Sequence, residues 1–178
     1  EKLIVGDAVT TIESNAFYGS NLKELTIGNS LSSLSSNNFS CSNTMRNLET
    51  LEIGMPSINS SLFSGCSRLS EVTLRDTVTT IGNSAFYNTD FETVVIPNTV
   101  TSIGSSAFSS TSLIEVTIGN AVEDIGNSAF YNTNLKNLII PDSVTYIGSS
   151  AFANTESLAT VKMSNNVESI GDAAFDLT

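Results

Sequence analysis

The stretch VTTIGNSAF, Val78 to Phe86, returns as VTSIGSSAF from Val100, VEDIGNSAF from Val122, VTYIGSSAF from Val144 and VESIGDAAF from Val167. Self-similarity at a short fixed period restricts a chain to stacked architectures. A unit too small to offset its own ordering entropy must bury its apolar face against copies of itself. Aligned on the aromatic residue, eight copies run the length of the chain: Phe17, Phe39, Phe63, Phe86, Phe108, Phe130, Phe152 and Phe175. Each Phe lies five residues after an aliphatic one (Ile12, Leu34, Ile58, Ile81, Ile103, Ile125, Ile147, Ile170), and three residues further back stands another apolar side chain, from Val9 to Val167. These offsets do not vary.

Between successive Phe residues runs apolar-x-x-apolar-x-apolar, as in Leu22/Leu25/Ile27, Leu113/Val116/Ile118 and Leu135/Leu138/Ile140. The last two columns alternate with polar positions, which predicts a half-buried strand. Gly28, Gly54 and Gly119, or Pro97 and Pro141, follow and end it. The regular period is 22 or 23 residues; length changes only between Phe39 and Leu48 and between Ile53 and Met55. Connections absorb such changes and packed columns do not, so the stack is expected to be least regular between about residues 35 and 66. The glycine after the buried Ile (Gly82, Gly104, Gly126, Gly148, Gly171) predicts a positive φ or a close backbone approach. The NSAF or SSAF that follows predicts a turn entering a short helical or 3₁₀ piece capped by Asn or Ser.

With the columns laid out, the chain resembles the BspA-like leucine-rich-repeat family, whose signature approximates L-x-x-(V/L)-x-I-P-x-x-V-x-x-I-G-x-x-A-F-x-x-C. Ile96 to Phe108, IPNTVTSIGSSAF, fits every constant position. The final Cys is kept only as Cys66, with Ser20, Thr89, Thr111, Thr133 and Thr155 in its place elsewhere. The resemblance implies a leucine-rich-repeat solenoid: residues 1–178 as one domain of stacked coils, a parallel sheet on the concave face, and turns and 3₁₀ pieces on the convex face. It further implies a cell-surface or secreted protein, of an adhesin type that binds host or microbial proteins or glycans. A spacer that projects another domain and a carbohydrate-binding module are the rival readings.

Stacking places the outward strand residues in two columns. One runs Glu24, Thr50, Glu71, Thr93, Glu115, Asn137, Thr160; the other Thr26, Glu52, Thr73, Val95, Thr117, Ile139, Lys162. The candidate binding residues are therefore Glu24, Thr26, Glu52, Glu71, Thr73, Thr93, Val95, Glu115, Thr117, Asn137, Ile139 and Lys162. The bland alternative is that Thr suits exposed strands and Glu keeps a sheet soluble. Tyr18, Tyr87 and Tyr131 follow the core Phe and either stack on sugars or shield the junction between coils. The irregular Ser40–Glu49 stretch is a candidate specialised loop. Cys41 and Cys66, in neighbouring repeats, could bridge in an oxidising compartment, but spacing alone does not decide it. Asn38 and Asn59 head Asn-x-Ser sequons.

Eighteen acidic against 7 basic residues, a net charge of −11, argue against nucleic acid and anionic membranes. No apolar run is long enough to insert in a bilayer. The chain opens and stops inside repeats, which reads as a piece of a longer protein. With no His, no Ser-His or Cys-His nucleophile system is available, and no phosphate-loop, nucleophile-elbow or EF-hand spacing occurs. A non-catalytic chain without cofactor or metal is expected. The Phe column makes a direct prediction: Phe108→Ala should lower unfolding free energy by about 3–5 kcal/mol in denaturant titration, whereas an unchanged midpoint would mean that the column is solvent-exposed.

Overall fold

Adjacent coils meet through two rows of parallel strands and a turn, although each row is interrupted in places. The structure is a computed structural model and describes residues 1–34, 39, 41 and 45–178. The apolar-x-apolar columns form the longer strands, numbered together with the shorter ones in chain order: β1 (Lys2–Val5), β3 (Glu24–Ile27), β5 (Thr50–Ile53), β7 (Glu71–Leu74), β9 (Thr93–Val95), β11 (Glu115–Thr117), β13 (Asn137–Ile139) and β15 (Thr160–Lys162). Two-residue strands end on the aliphatic residue before the glycine column: β2 (Thr11–Ile12), β4 (Ser33–Leu34), β6 (Ser57–Ile58), β8 (Thr80–Ile81), β10 (Ser102–Ile103), β12 (Asp124–Ile125), β14 (Tyr146–Ile147) and β16 (Ser169–Ile170). All pairings are parallel and join equivalent residues of adjacent coils, such as Leu25 with Leu51, Val94 with Val116 and Ile103 with Ile125. The chain is a parallel β-solenoid of the leucine-rich-repeat kind, and no helix forms among the described residues.

The expected single sheet is divided. The longer strands make one four-stranded sheet, β1-β3-β5-β7, and two pairs, β9-β11 and β13-β15. The residue after the last apolar strand column (Ile27, Ile53, Leu74, Ile96, Ile140) accounts for the divisions. Gly28, Gly54 and Arg75 donate their N–H to the preceding coil, to the carbonyls of Val5, Ile27 and Ile53, at 2.8, 2.7 and 2.9 Å. Pro97 and Pro141 stand in that column and have no N–H to donate, so the ladder stops before each Pro-bearing coil. The short strands form a continuous six-stranded sheet from β6 to β16, with β2-β4 separate. The division between β4 and β6 falls within the region expected to be irregular, while the longer strands pass through it without a break.

The convex segments are turns, but the expected 3₁₀ pieces do not develop. Ser84, Phe86 and Asn88 donate to the next coil, to Ser105, Ala107 and Ser109 carbonyls at 2.8, 2.8 and 3.0 Å. Only the residues between them, Ala85 and Tyr87, donate back three positions, each at 3.2 Å. With alternate N–H groups committed to a neighbour, two successive i→i−3 bonds never form. The alternation requires left-handed backbone at Ser84 (φ 54°) and Asn88 (φ 55°), and at equivalent Ser and Asn residues of other coils. The positive φ anticipated at the glycine after Ile thus falls two residues later, on Ser84, Ser106, Ser128 and Ser150 and, in the last coil, on Ala173. That glycine serves the other anticipated purpose. A Cβ on Gly104 would sit 2.6 Å from the Asn83 nitrogen and the Gly82 carbonyl carbon of the coil before.

Inside, the Phe side chains stack from Phe17 to Phe175 with centroids 5.2–6.1 Å apart. Spacing is widest, 6.1 Å with 22° between planes, at Phe39–Phe63 and settles to 5.2 Å beyond Phe108. Phe91 packs edge-on to both Phe86 and Phe108. Val78, Val100, Val122 and Val144, with their partner Ile residues, are buried beside the stack. In the first and last of these coils Val9 and Ile170 are exposed, while Ile12 remains buried. The Thr residues that replace the signature Cys close their own turns: Thr89, Thr111 and Thr133 donate to the Phe86, Phe108 and Phe130 carbonyls at 2.9, 2.9 and 3.1 Å.

The glycine contacts give a paired prediction for thermal unfolding. Gly104→Ala should cost about 1–3 kcal/mol by overpacking, whereas Gly6→Ala, where a Cβ meets nothing within 4 Å, should stay within about 0.5 kcal/mol of the parent.

Candidate binding face

Because side chains of a strand alternate between faces, the parallel register brings the twelve candidate residues onto one surface. Glu24, Glu71, Thr73, Thr93, Val95, Glu115, Thr117, Asn137, Ile139 and Lys162 are exposed, and Thr26 and Glu52 are half-buried. Within each sheet the paired residues follow the expected columns, Glu24 with Thr50, Thr50 with Glu71 and Thr93 with Glu115 in one, Thr26 with Glu52, Glu52 with Thr73 and Val95 with Thr117 in the other, and no strand pairing joins them across the two divisions. Val95 and Ile139 are each 63% exposed, well beyond the usual exposure of apolar strand residues.

The charges on this face divide into two halves. In the first coils they are matched: Lys2 with Glu24 at 3.1 Å, Lys23 with Glu49 at 2.8 Å, and Arg75 with Glu52 at 2.8 Å and with Asp7 at 3.7 Å. The Arg75 hydrogen bond holds the Glu52 carboxyl below its usual range, and Glu52 in turn raises Arg75. The Lys23 hydrogen bond does the same for Glu49. Thr26 Oγ1 also donates to Glu52, at 3.4 Å. From β7 onward, no ion pair is formed by Glu71, Glu115, Lys136 or Lys162 among the described residues. The partners that quiet the first half, Lys23, Glu49 and Arg75, flank the strands, and a reading confined to strand positions passes over them.

Two grooves open on the face, both at the divisions of the sheet. One, of about 380 Å³, is lined by Thr73, Thr93, Val95 and Glu115 among others. The larger, of about 730 Å³, is lined by Glu115, Lys136, Asn137, Ile139, Lys162 and Met163 among others. A sequence signal for them exists: Val95-Ile96-Pro97 and Ile139-Ile140-Pro141 recur 44 residues apart, so a two-coil period overlies the one-coil period.

Other candidates lie elsewhere. Tyr18 and Tyr87 are exposed on the convex turns, and Tyr131 Oη accepts from Asn154 Nδ2 of the next coil at 3.4 Å, a contact across a coil junction. Of the Ser40–Glu49 stretch, residues 40 and 42–44 lie outside the described residues, as does the Asn38 sequon. Its described end is packed, with Met45 and Leu48 buried and Asn47 bonded to Asn21 and to Arg68. Asn59 is exposed. Cys41 and Cys66 are joined in a disulfide, their Cα atoms 4.9 Å apart, which resolves the pairing that spacing left open. No helix among the described residues is long and apolar enough to cross a membrane.

The comparisons with known proteins agree with this architecture. A leucine-rich cell-surface protein of Faecalibacterium prausnitzii is similar over 85% of this chain, with 27% identity and a TM-score of 0.51. The chain spans 46% of that protein's length. The T. pallidum leucine-rich-repeat protein TpLRR shares the fold over 96% of this chain and 72% of its own, at 17% identity and a TM-score of 0.55. No curated protein is significantly similar in sequence. The profile of the BspA-type leucine-rich-repeat region matches in six copies, over residues 1–112 and 79–178. These matches span the chain, and the chain belongs to the BspA-type leucine-rich-repeat family.

Proposed function

We propose that this chain is the non-catalytic binding segment of a cell-surface or secreted protein, and that it adheres to host or microbial macromolecules through the face of the longer strands. The observation that carries this reading is the contrast along that face. Its first coils pair their charges and expose one large apolar side chain, Ile4, while the coils from β7 onward leave carboxylates and ammonium groups unpaired among the described residues and expose Val95 and Ile139. A surface kept only for solubility has no use for Val95 and Ile139 at such exposure. A repetitive face that grows by one strand per coil suits a large partner, with contact energy spread over several repeats.

Export is supported by two findings. The relative from F. prausnitzii is described as a cell-surface protein, and the Cys41–Cys66 bridge joins neighbouring coils, which fits an oxidising compartment.

The test uses immobilised extracellular-matrix proteins, a glycan array and intact bacterial cells as the panel, with binding read by surface plasmon resonance or cell retention. Thr93→Arg with Thr117→Arg, both on exposed sites, should weaken whatever binding the panel reveals by about tenfold or more. Tyr18→Ala with Tyr87→Ala on the convex side should leave it unchanged. Binding that survives the sheet substitutions and is lost with the tyrosines would overturn the reading in favour of sugar stacking; a panel without any binding would favour a spacer.

A further inference from the structure

Between the coils of Phe39 and Phe63, the short strands and convex turns lack backbone bonds that join the later coils. In the column two residues before the short-strand aliphatic, Ser32 donates its N–H to the Thr10 carbonyl at 3.0 Å and Thr79 to Pro56 at 2.7 Å; Thr101 and Glu123 continue the row to Thr79 and Thr101 at 2.9 Å. Pro56 stands in that column and has no N–H for the Ser32 carbonyl. It divides β4 from β6 as Pro97 and Pro141 divide the longer row. Gly82, Gly104, Gly126 and Gly148 each donate to the aliphatic carbonyl of the coil before at 2.8–2.9 Å, but Asn59, in their column, reaches the Leu34 carbonyl through its side-chain Nδ2 at 3.4 Å. Phe63 and Gly65 donate to Ala85 and Tyr87 of the next coil at 2.9 and 2.8 Å, whereas no equivalent bond leaves Phe39 or Cys41 among the described residues.

Along the other side this junction is whole. All four residues of β3 pair with β5, and Gly54 donates to the Ile27 carbonyl at 2.7 Å. Where the longer row is divided the reverse holds, since β8 pairs with β10 and β12 with β14. The Phe39 and Phe63 rings are also the farthest apart and the most inclined in the stack, at 6.1 Å and 22°. On this weakly bonded side lies the Cys41–Cys66 bridge, on the turns just past the two rings. Cys66 stands in the column where Thr89, Thr111 and Thr133 donate to a carbonyl of their own turn. Its side chain is committed to the preceding coil instead.

We infer that this bridge is a redox-sensitive latch on a hinge. Closed, it holds the coils of Phe17 and Phe39 against the stack; opened by a dithiol reductant, it frees them to part from the coil of Phe63 about the β3–β5 pair. In the exchange, a reductant thiolate attacks one sulfur and forms a mixed disulfide. The second reductant thiol then closes the reductant into its own disulfide and releases both cysteines as thiols. Two coils are fewer than the about three repeats that a stack needs to hold together, so the freed pair loses order while the six coils from Phe63 onward keep theirs. Both sulfurs are on buried residues, and the reaction therefore waits on local opening. Order in the first two coils is tied to the redox state of the surroundings. The inference is independent of the adhesive reading, because the face from β7 onward lies beyond the hinge.

Hydrogen–deuterium exchange of the full chain, read by mass spectrometry, tests this in three forms: oxidised, reduced with dithiothreitol until both thiols titrate, and carrying Cys41→Ala with Cys66→Thr. The second substitution supplies the hydroxyl that closes this turn in other coils, so the double variant loses the latch and keeps the turn. In both latch-free forms, peptides from residues 11–34 should exchange about tenfold or more faster than in the oxidised chain, and peptides from residues 95–140 should change by less than about twofold. Adding Pro56→Thr to the double variant supplies the N–H missing opposite the Ser32 carbonyl and should recover about threefold or more of the lost protection. A bridge that stays oxidised in dithiothreitol, unchanged exchange over residues 11–34, an equal rise along the whole chain, or no recovery with Pro56→Thr each overturns the inference. The dithiothreitol arm reads the same quantity without substitution, so it decides the matter if the double variant fails to fold.

Discussion

The stack of Phe rings is the contact on which the other features depend. Offset-stacked aromatic pairs hold centroids within a narrow range, here 5.2–6.1 Å from Phe17 to Phe175. One ring per coil at that separation sets the coil rise, and a rise near the strand spacing lets both strand rows pair in parallel. Each coil must then place its Val, Ile and Phe at constant offsets, because a displaced ring would lose two stacked partners and lift two ladders out of register. Apart from one extra residue before Leu69 and Leu158, length changes are confined to the stretches between Phe39 and Leu48 and between Ile53 and Met55. The Cys41–Cys66 bridge spans the affected coils, where the stack is also widest.

Backbone accounting explains how a chain with no described helix satisfies its polar groups. Buried N–H and C=O groups need partners, and the coils share them unequally on the two sides. On the longer strands, residues such as Gly28 and Arg75 donate to the coil before; on the convex turns, Ser84, Phe86 and Asn88 donate to the coil after. The left-handed conformations at Ser84 and Asn88 let a turn be both closed on itself and bonded outward. Proline is admitted where it removes a single donation, and the sheet divides there instead of the core. The Phe rings on either side of each division remain stacked at 5.2–5.4 Å from Phe86 onward, so stacking and laddering are separable in this chain.

That separability bears on function. A ladder without interruption would leave a flat face of Thr and Glu. The two divisions instead give it grooves beside Val95 and Ile139, in the half where Glu71, Glu115, Lys136 and Lys162 are not neutralised by neighbours. The first half, with Lys2, Lys23 and Arg75 each bonded to a carboxylate, is electrostatically quiet. The surface is therefore graded along the solenoid although the coils beneath it are nearly identical.

The repeat offsets by themselves determined the architecture: a side chain that recurs at constant spacing can be buried only against its own copies, so period, strand columns, buried Phe and the outward residues from Glu24 to Lys162 were all legible before any coordinates. The conformation of the convex turns was not, because whether an N–H bonds within its turn or to the next coil depends on a neighbour that local propensity does not contain. Positive φ at Ser84 and Asn88 in place of Gly82, and isolated turns in place of 3₁₀ pieces, follow from that competition. The disulfide was undecided in the sequence because pairing depends on distance between coils. The divided sheet lay closer to the surface of the sequence, in the prolines 44 residues apart, but the consequence of a missing donor appears only when the carbonyl it would have reached is placed opposite it. Local pattern chose which residues stack, and tertiary contact chose where each hydrogen bond goes, since apolar burial is non-directional and a hydrogen bond is not.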